Sequence, residues 1–148
     1  MKILHNFLSA GEIAHLAHCG DRHDFEPGRQ GTGYEKLALK YDEWPLARER
    51  CLAALGVSYD TAHDCYILRY QVGARIPSHV DDAPLASEHH RVNVCIIEPG
   101  AGGVLRVGDS AVPLHAGDAY LFRPDVEEHE VSVVTKGVRL MFTVGVLK

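Results

Sequence analysis

None of the four cysteines, at 19, 51, 65 and 95, forms a Cys-x-x-Cys pair, and none shows zinc-knuckle spacing. Cys65 and Cys95 sit inside apolar runs, where a free cysteine acts as a small buried hydrophobe, so a reduced, cytoplasmic setting is expected. No window approaches the 18 or so apolar residues of a membrane span, and the opening Met1–Leu8 is too short in apolar residues for a signal peptide. The expectation is a soluble protein with no membrane partner. His-Glu-x-x-His, the P-loop and Gly-x-Ser-x-Gly are all missing, which removes support for zinc protease, nucleotide-binding and serine hydrolase chemistry. There is no dense basic run, and a net charge of −5 with a pI near 6.0 argues against a large nucleic-acid footprint. No internal repeat or low-complexity segment interrupts the chain.

What is present is an ordinary globular composition, 46% hydrophobic and 24% charged, over 148 residues. That length fits one domain spanning 1–148. A domain of this size buries roughly 68–70% of its unfolded surface, so it needs neither disulfide nor metal in order to fold. A metal, if bound, would serve chemistry.

The chain changes character near residue 63. Residues 1–62 read as helical support with a loop, and 63–148 as a β core. Ser9-Ala10-Gly11-Glu12 forms a capping box, and Ile13, Leu16 and Ala17 continue it as an apolar stripe, predicting a helix over 10–19. Pro45 at a first-turn position opens a second helix through Leu46, Cys51, Leu52 and Leu55, closed by Gly56. Residues 20–43 between them are rich in glycine and charge, long for a connector, and expected to act as a binding loop or lid. Short β-branched runs punctuated by Gly and Pro then predict strands near 65–71, 75–81, 91–97, 103–107, 110–114, 118–123, 129–134 and 138–146. Eight such strands point to a sandwich, jelly roll or small barrel, with the two helices packed on one sheet.

Within this frame, His79-Val80-Asp81 places a histidine and an aspartate on one face of a strand, because alternate side chains point the same way. His129 opens a later strand after Pro124-Asp125-Val126-Glu127-Glu128. Two imidazoles and a carboxylate on one metal face leave the other positions open, the arrangement of non-haem iron oxygenases. Each piece alone is weak: ten histidines and ten aspartates give roughly 0.7 His-x-Asp matches by chance. A polar strand residue and a surface loop histidine are the plain alternatives. Arg139 shifts the balance. It lies ten residues after His129 in the apolar run Gly137–Val144, where it must pair with an anion or reach a strand edge. A planar fork there can clamp a carboxylate in a cavity, and 2-oxoglutarate carries one at the end far from its metal-binding group.

Taken together, Tyr70, Gly73, His79, Asp81, His129 and Arg139 stand in the order of a family pattern. It is a Tyr-x-x-Gly run leading into His-x-Asp, then a distal His with Arg or Lys ten residues on. Over about residues 64–146 the chain resembles the iron(II)/2-oxoglutarate-dependent dioxygenases, in particular their prolyl-4-hydroxylase-like branch. Asn6-Phe7-Leu8-Ser9, Gly102–Leu105 and Pro113–Phe122 add to the likeness. The resemblance implies a double-stranded β-helix of the jelly-roll, cupin-like kind, with His79, Asp81 and His129 as catalytic metal ligands. It also implies that Tyr70 and Arg139 bind the distal carboxylate of 2-oxoglutarate. The implied enzyme uses iron(II), 2-oxoglutarate and dioxygen, and releases succinate and carbon dioxide.

Two departures narrow the branch. The strand Arg91–Glu98 lacks the threonine and tyrosine many prolyl hydroxylases carry there, and Gly145 stands where the nucleic-acid-repair branch bears a second arginine six residues after the first. The expected reaction is therefore hydroxylation of an amino-acid side chain in a peptide or a small molecule. An alkylated or methylated nucleic-acid base is the alternative substrate. A cupin-type metalloenzyme not using 2-oxoglutarate and a non-catalytic binding module are the rival classes; Arg139 speaks against the first and the intact triad against the second. His63 and His89-His90 do not fit the strand pattern, the paired histidines reading as a solvated loop, and Asp82 would face away from Asp81. Segments 20–43 and 82–90 are the expected specificity loops.

Overall fold

Ser9 starts the first helix, α1 (Ala10–Cys19), by the reciprocal contacts its sequence predicts. Its hydroxyl accepts the Glu12 N–H at 3.2 Å, and the Glu12 carboxylate accepts the Ser9 N–H at 3.0 Å. Two of the amide donors that a helix start leaves open are thereby satisfied. The second helix, α2 (Leu46–Ala54), has Pro45 at its N-cap, one position earlier than the first-turn place expected for it. The structure, a computed structural model, describes residues 2–43, 45–57 and 62–148. Among these no helix is long and apolar enough to cross a membrane.

The strands are β1 (Lys2–Leu4), β2 (Glu26–Pro27), β3 (Glu35–Ala38), β4 (Ala62–Tyr70), β5 (Ile76–His79), β6 (His89–Ile97), β7 (Ala101–Gly102), β8 (Leu105–Val107), β9 (Ser110–Val112), β10 (Ala119–Phe122), β11 (His129–Val131), β12 (Val134–Lys136) and β13 (Arg139–Leu147). All eight predicted strands are among them. The additional ones are short. β2 and β3 lie inside the stretch 20–43, where the sequence shows no period, and they extend the sheet beside β4.

An antiparallel major sheet runs β1-β10-β6-β13-β4-β3-β2, and a minor sheet runs β5-β11-β8-β9. Alternation along β13 divides the molecule. Leu140, Phe142, Val144 and Val146 join Leu16, Cys51, Leu52, Ile67, Val92 and Val94 in a core beneath the helices. Met141 points the other way, into a second core where Tyr70, Cys95, Tyr120 and Phe122 of the major sheet meet Leu105, Val107, Val112 and Val131 of the minor sheet. The two facing sheets with helices on one outer side make a double-stranded β-helix.

The chain crosses from β4 to β5, and so from one sheet to the other, through Tyr70-Gln71-Val72-Gly73. Gly73 has φ +93°, a region open to glycine and costly for other residues, while its N–H donates to the Val134 carbonyl at 2.8 Å. This turn sets the distance between Tyr70 at the end of one sheet and His79 on the other.

Candidate metal centre and carboxylate pocket

His79 and His129 are direct register partners on β5 and β11, with ring centroids 4.4 Å apart. Each ring is held by the backbone carbonyl two residues before it: His79 Nδ1 lies 2.8 Å from the Pro77 oxygen, and His129 Nδ1 lies 2.8 Å from the Glu127 oxygen. A carbonyl only accepts, so each Nδ1 carries a proton, and in the neutral ring Nε2 keeps the lone pair that a metal would take. Asp81 lies just past the end of β5, anchored by its N–H to the Pro124 carbonyl at 2.8 Å. Its Oδ1 stands 3.1 Å from His79 Nε2 and 3.7 Å from His129 Nε2. All three ligand atoms fall within 4.8 Å of one another. Ligands about 2.1 Å from a six-coordinate ion stand about 3 Å apart on one face, and the 3.1 and 3.7 Å separations from Asp81 Oδ1 approach that spacing.

The electrostatics suit a cation. Burial would raise the Asp81 carboxyl, but the hydrogen bond from His79 and the charge of Arg91 outweigh it and hold the group at about 2. Asp81 is therefore ionised at neutral pH. Burial lowers His129, keeping it neutral and able to donate its lone pair, whereas the Asp81 hydrogen bond raises His79.

The structure brings the remaining predicted residues to the same place. Arg139 opens β13 directly opposite Tyr70 in the register, and its guanidinium lies 4.6 Å from the centre of the Tyr70 ring. Both are buried, Arg139 at 5% and Tyr70 at 1% exposure, and Tyr70 stacks on Tyr34 at 5.6 Å. Among the described residues no carboxylate forms an ion pair with Arg139. A buried guanidinium without an anion is costly, and it is the feature a bound carboxylate would complete. His79, Asp81, His129, Tyr70 and Arg139 all line one cavity of about 770 Å³ between the two sheets.

Several residues in or beside this cavity carry no sequence signal that singles them out. Gln30, from the loop between β2 and β3, places its amide 3.3 Å from His79 Nε2 and also bonds the Tyr34 hydroxyl. Arg29 of the same loop pairs with Asp82 at 3.3 Å. Phe122 sets its ring edge-on to His129 at 5.1 Å. Arg91 reaches Asp81 Oδ2 at 3.2 Å; strand alternation could have found it, since Arg91, Asn93 and Cys95 share one face of β6. The expectation that His89-His90 form a solvated loop is corrected: both lie in β6, and His89 is buried beside Asp64, not at the triad. Asp82 turns outward as expected, and the side chain of His63 lies outside the described residues.

No family model matches the chain, and no curated protein does. Solved structures do. The viral collagen prolyl hydroxylase vCPH of Paramecium Bursaria Chlorella virus-1, in its 2-oxoglutarate complex, superposes with a TM-score of 0.75 at 15% identity, over 99% of this chain and 94% of that one. A Pseudomonas putida prolyl-4-hydroxylase gives 0.75 at 22% identity, over 99% and 91%. HygX from Streptomyces hygroscopicus, with nickel and 2-oxoglutarate bound, gives 0.73 at 16% identity, over 97% and 80%. This chain therefore has the double-stranded β-helix fold found in prolyl hydroxylases and other 2-oxoglutarate/iron(II) oxygenases.

Proposed function

We propose that the chain is a single-domain iron(II)- and 2-oxoglutarate-dependent dioxygenase that hydroxylates an amino-acid side chain in a peptide or small molecule. The observation that carries the reading is the pairing, in one cavity, of a His-Asp-His face with a buried arginine that pairs with no carboxylate among the described residues. The donor set suits iron(II), since two imidazoles and one carboxylate on one face are the ligands of non-haem iron oxygenases. When bound, iron and 2-oxoglutarate supply the oxidative chemistry, in which dioxygen gives one atom to a C–H bond and the other to succinate, with loss of carbon dioxide.

The chain's own residues do the positioning. His79, Asp81 and His129 would hold the metal through the ligand atoms they gather at the cavity. Arg139 takes the far carboxylate of 2-oxoglutarate with its planar fork, and the Tyr70 hydroxyl closes on the same group. The apolar walls from Leu68, Leu105, Val131 and Met141 keep water from that end of the cavity. Gln30, Arg29 and Asp82 stand at the open end, where the substrate would enter. The likeness to prolyl hydroxylases supports an amino-acid side chain as target, and HygX shows the same fold outside that class. Position 145 carries a glycine and no second arginine, and a Cβ there would meet Asp64 Oδ1 at 2.5 Å, which supports the choice against a nucleic-acid base. A cytoplasmic setting is supported by four cysteines that form no disulfide with one another.

The test is succinate release from 2-oxoglutarate with proline-containing peptides, free amino acids and alkylated or methylated oligonucleotides, at two salt concentrations. Stimulation by peptides or amino acids, lost in Asp81→Ala, is expected. Stimulation only by oligonucleotides, weakening steeply with salt, would overturn the substrate choice.

A further inference from the structure

Arg91 has no part in the chemistry assigned above, yet its side chain is only 12% exposed and stands between two carboxylates. Nη1 lies 3.2 Å from Asp81 Oδ2, and Nη2 lies 3.1 Å from Asp64 Oδ2 and 3.4 Å from His89 Nε2. The two oxygens of Asp81 are thus divided. Oδ1 faces His79 and His129, and Oδ2 is engaged by the arginine. A carboxylate free to rotate about its last bond could present both oxygens, one, or neither. A fixed guanidinium on Oδ2 removes that freedom and leaves Oδ1 aimed at the shared point.

What holds Arg91 is built on a missing side chain. Gly145 on β13 is the register partner of Asp64 on β4 and of Arg91 on β6. A Cβ at 145 would stand 2.5 Å from Asp64 Oδ1 and 2.8 Å from His89 Nε2. The space a side chain would need is taken by the two groups that flank the arginine. A side chain at 145 would have to displace both groups, so the glycine serves their placement rather than backbone freedom.

We propose that Arg91, seated on Asp64 and His89 above Gly145, is a positioning residue that holds Asp81 in one-oxygen coordination of the metal. The proposal rests on the iron reading of the triad. Partners that orient a metal ligand without touching the metal typically contribute 10- to 100-fold in affinity. Arg91 does so here through a contact that neither the His-x-Asp spacing nor the histidine rings reveal.

The test is calorimetric titration of Mn(II) into the metal-free full chain, with thermal unfolding of the same samples. Arg91→Gln is expected to weaken Mn(II) binding by about 10- to 100-fold. Arg91→Lys should lose less, because a cation remains although it cannot span both carboxylates. Gly145→Ala, at a position that touches neither Asp81 nor the metal, should weaken Mn(II) in the same direction by displacing Asp64 and His89. Arg69→Gln is the control: that arginine pairs with Glu35 at 2.9 Å on the same sheet but outside the cavity. It should lower the unfolding midpoint and leave Mn(II) affinity unchanged. His79→Ala should abolish binding.

Unchanged affinity in Arg91→Gln, with binding lost in His79→Ala, would overturn the positioning role and leave the metal reading intact. An equal loss in Arg69→Gln would mean that affinity merely follows stability, and would also overturn it. Binding retained in His79→Ala would remove the metal reading and the proposal together. Should Arg91→Gln fail to fold, Arg91→Lys and Gly145→Ala decide the matter by the same criteria.

Discussion

The two faces of β13 belong to different environments although they alternate residue by residue. Toward the helices stand Leu140, Phe142, Val144 and Val146, each at most 1% exposed and all apolar. Toward the cavity stand Arg139, Met141, Thr143 and Gly145: a guanidinium, a flexible thioether, a hydroxyl and a gap. The helix side is a packing problem solved by shape and hydrophobicity alone. The cavity side spends burial on groups that water would prefer to keep, and each of them is answered by a specific partner or by the ligand proposed for it. The comparison teaches that stability and chemistry are carried by the same strand on opposite sides, so substitutions on the two faces should separate.

The sharpest separation is expected at Phe142, fully buried between the helices and the sheet. Phe142→Ala should cost about 3–5 kcal/mol of unfolding free energy by emptying a packed site. Mn(II) affinity of the folded fraction should not change. Denaturant unfolding paired with calorimetry reads both, and a matching loss of metal affinity would break the division. Thr143 is the corresponding position on the cavity side. Its hydroxyl donates to the Asn93 side-chain oxygen at 2.7 Å, with Thr143 0% exposed. Thr143→Val keeps the shape and orphans the Asn93 oxygen, so a loss of about 1–3 kcal/mol is expected by the same unfolding measurement.

These contrasts also explain what could be read from the residues alone. The apolar face of each long strand announces itself by period two, and α1 by its capping box, so eight strands and the first helix follow from pattern. β1, β2, β3, β7 and β12 have two to four residues each and form no period; pairing with neighbouring strands, mostly distant in sequence, makes them strands. That His79, Asp81, His129, Tyr70 and Arg139 would converge on one cavity was legible, because the proposed ligands would restrict both residue type and spacing. The groups that orient them were not. Both histidine rings are set by backbone carbonyls, which every residue possesses, and Arg91 comes to Asp81 across a cavity. His89-His90 read as a loop because histidine pairs are usually solvated, whereas β6 starts two residues earlier than its β-branched run and buries His89.

A smaller effect, confined to the helix side, is expected at the start of α1. Ser9→Ala removes the hydroxyl that accepts the Glu12 N–H and should cost about 1 kcal/mol. Thermal unfolding checks the size, and unchanged Mn(II) affinity checks the separation.

The central claim is that one cavity binds metal at His79, Asp81 and His129 and a carboxylate at Arg139. Titration of 2-oxoglutarate into Mn(II)-loaded wild type, Arg139→Ala and Arg139→Lys tests it most directly. The account predicts unchanged Mn(II) affinity in both variants, a loss of about 2–5 kcal/mol in 2-oxoglutarate binding for Arg139→Ala, and a smaller loss for Arg139→Lys. Binding of 2-oxoglutarate to Arg139→Ala as tight as to wild type would contradict it.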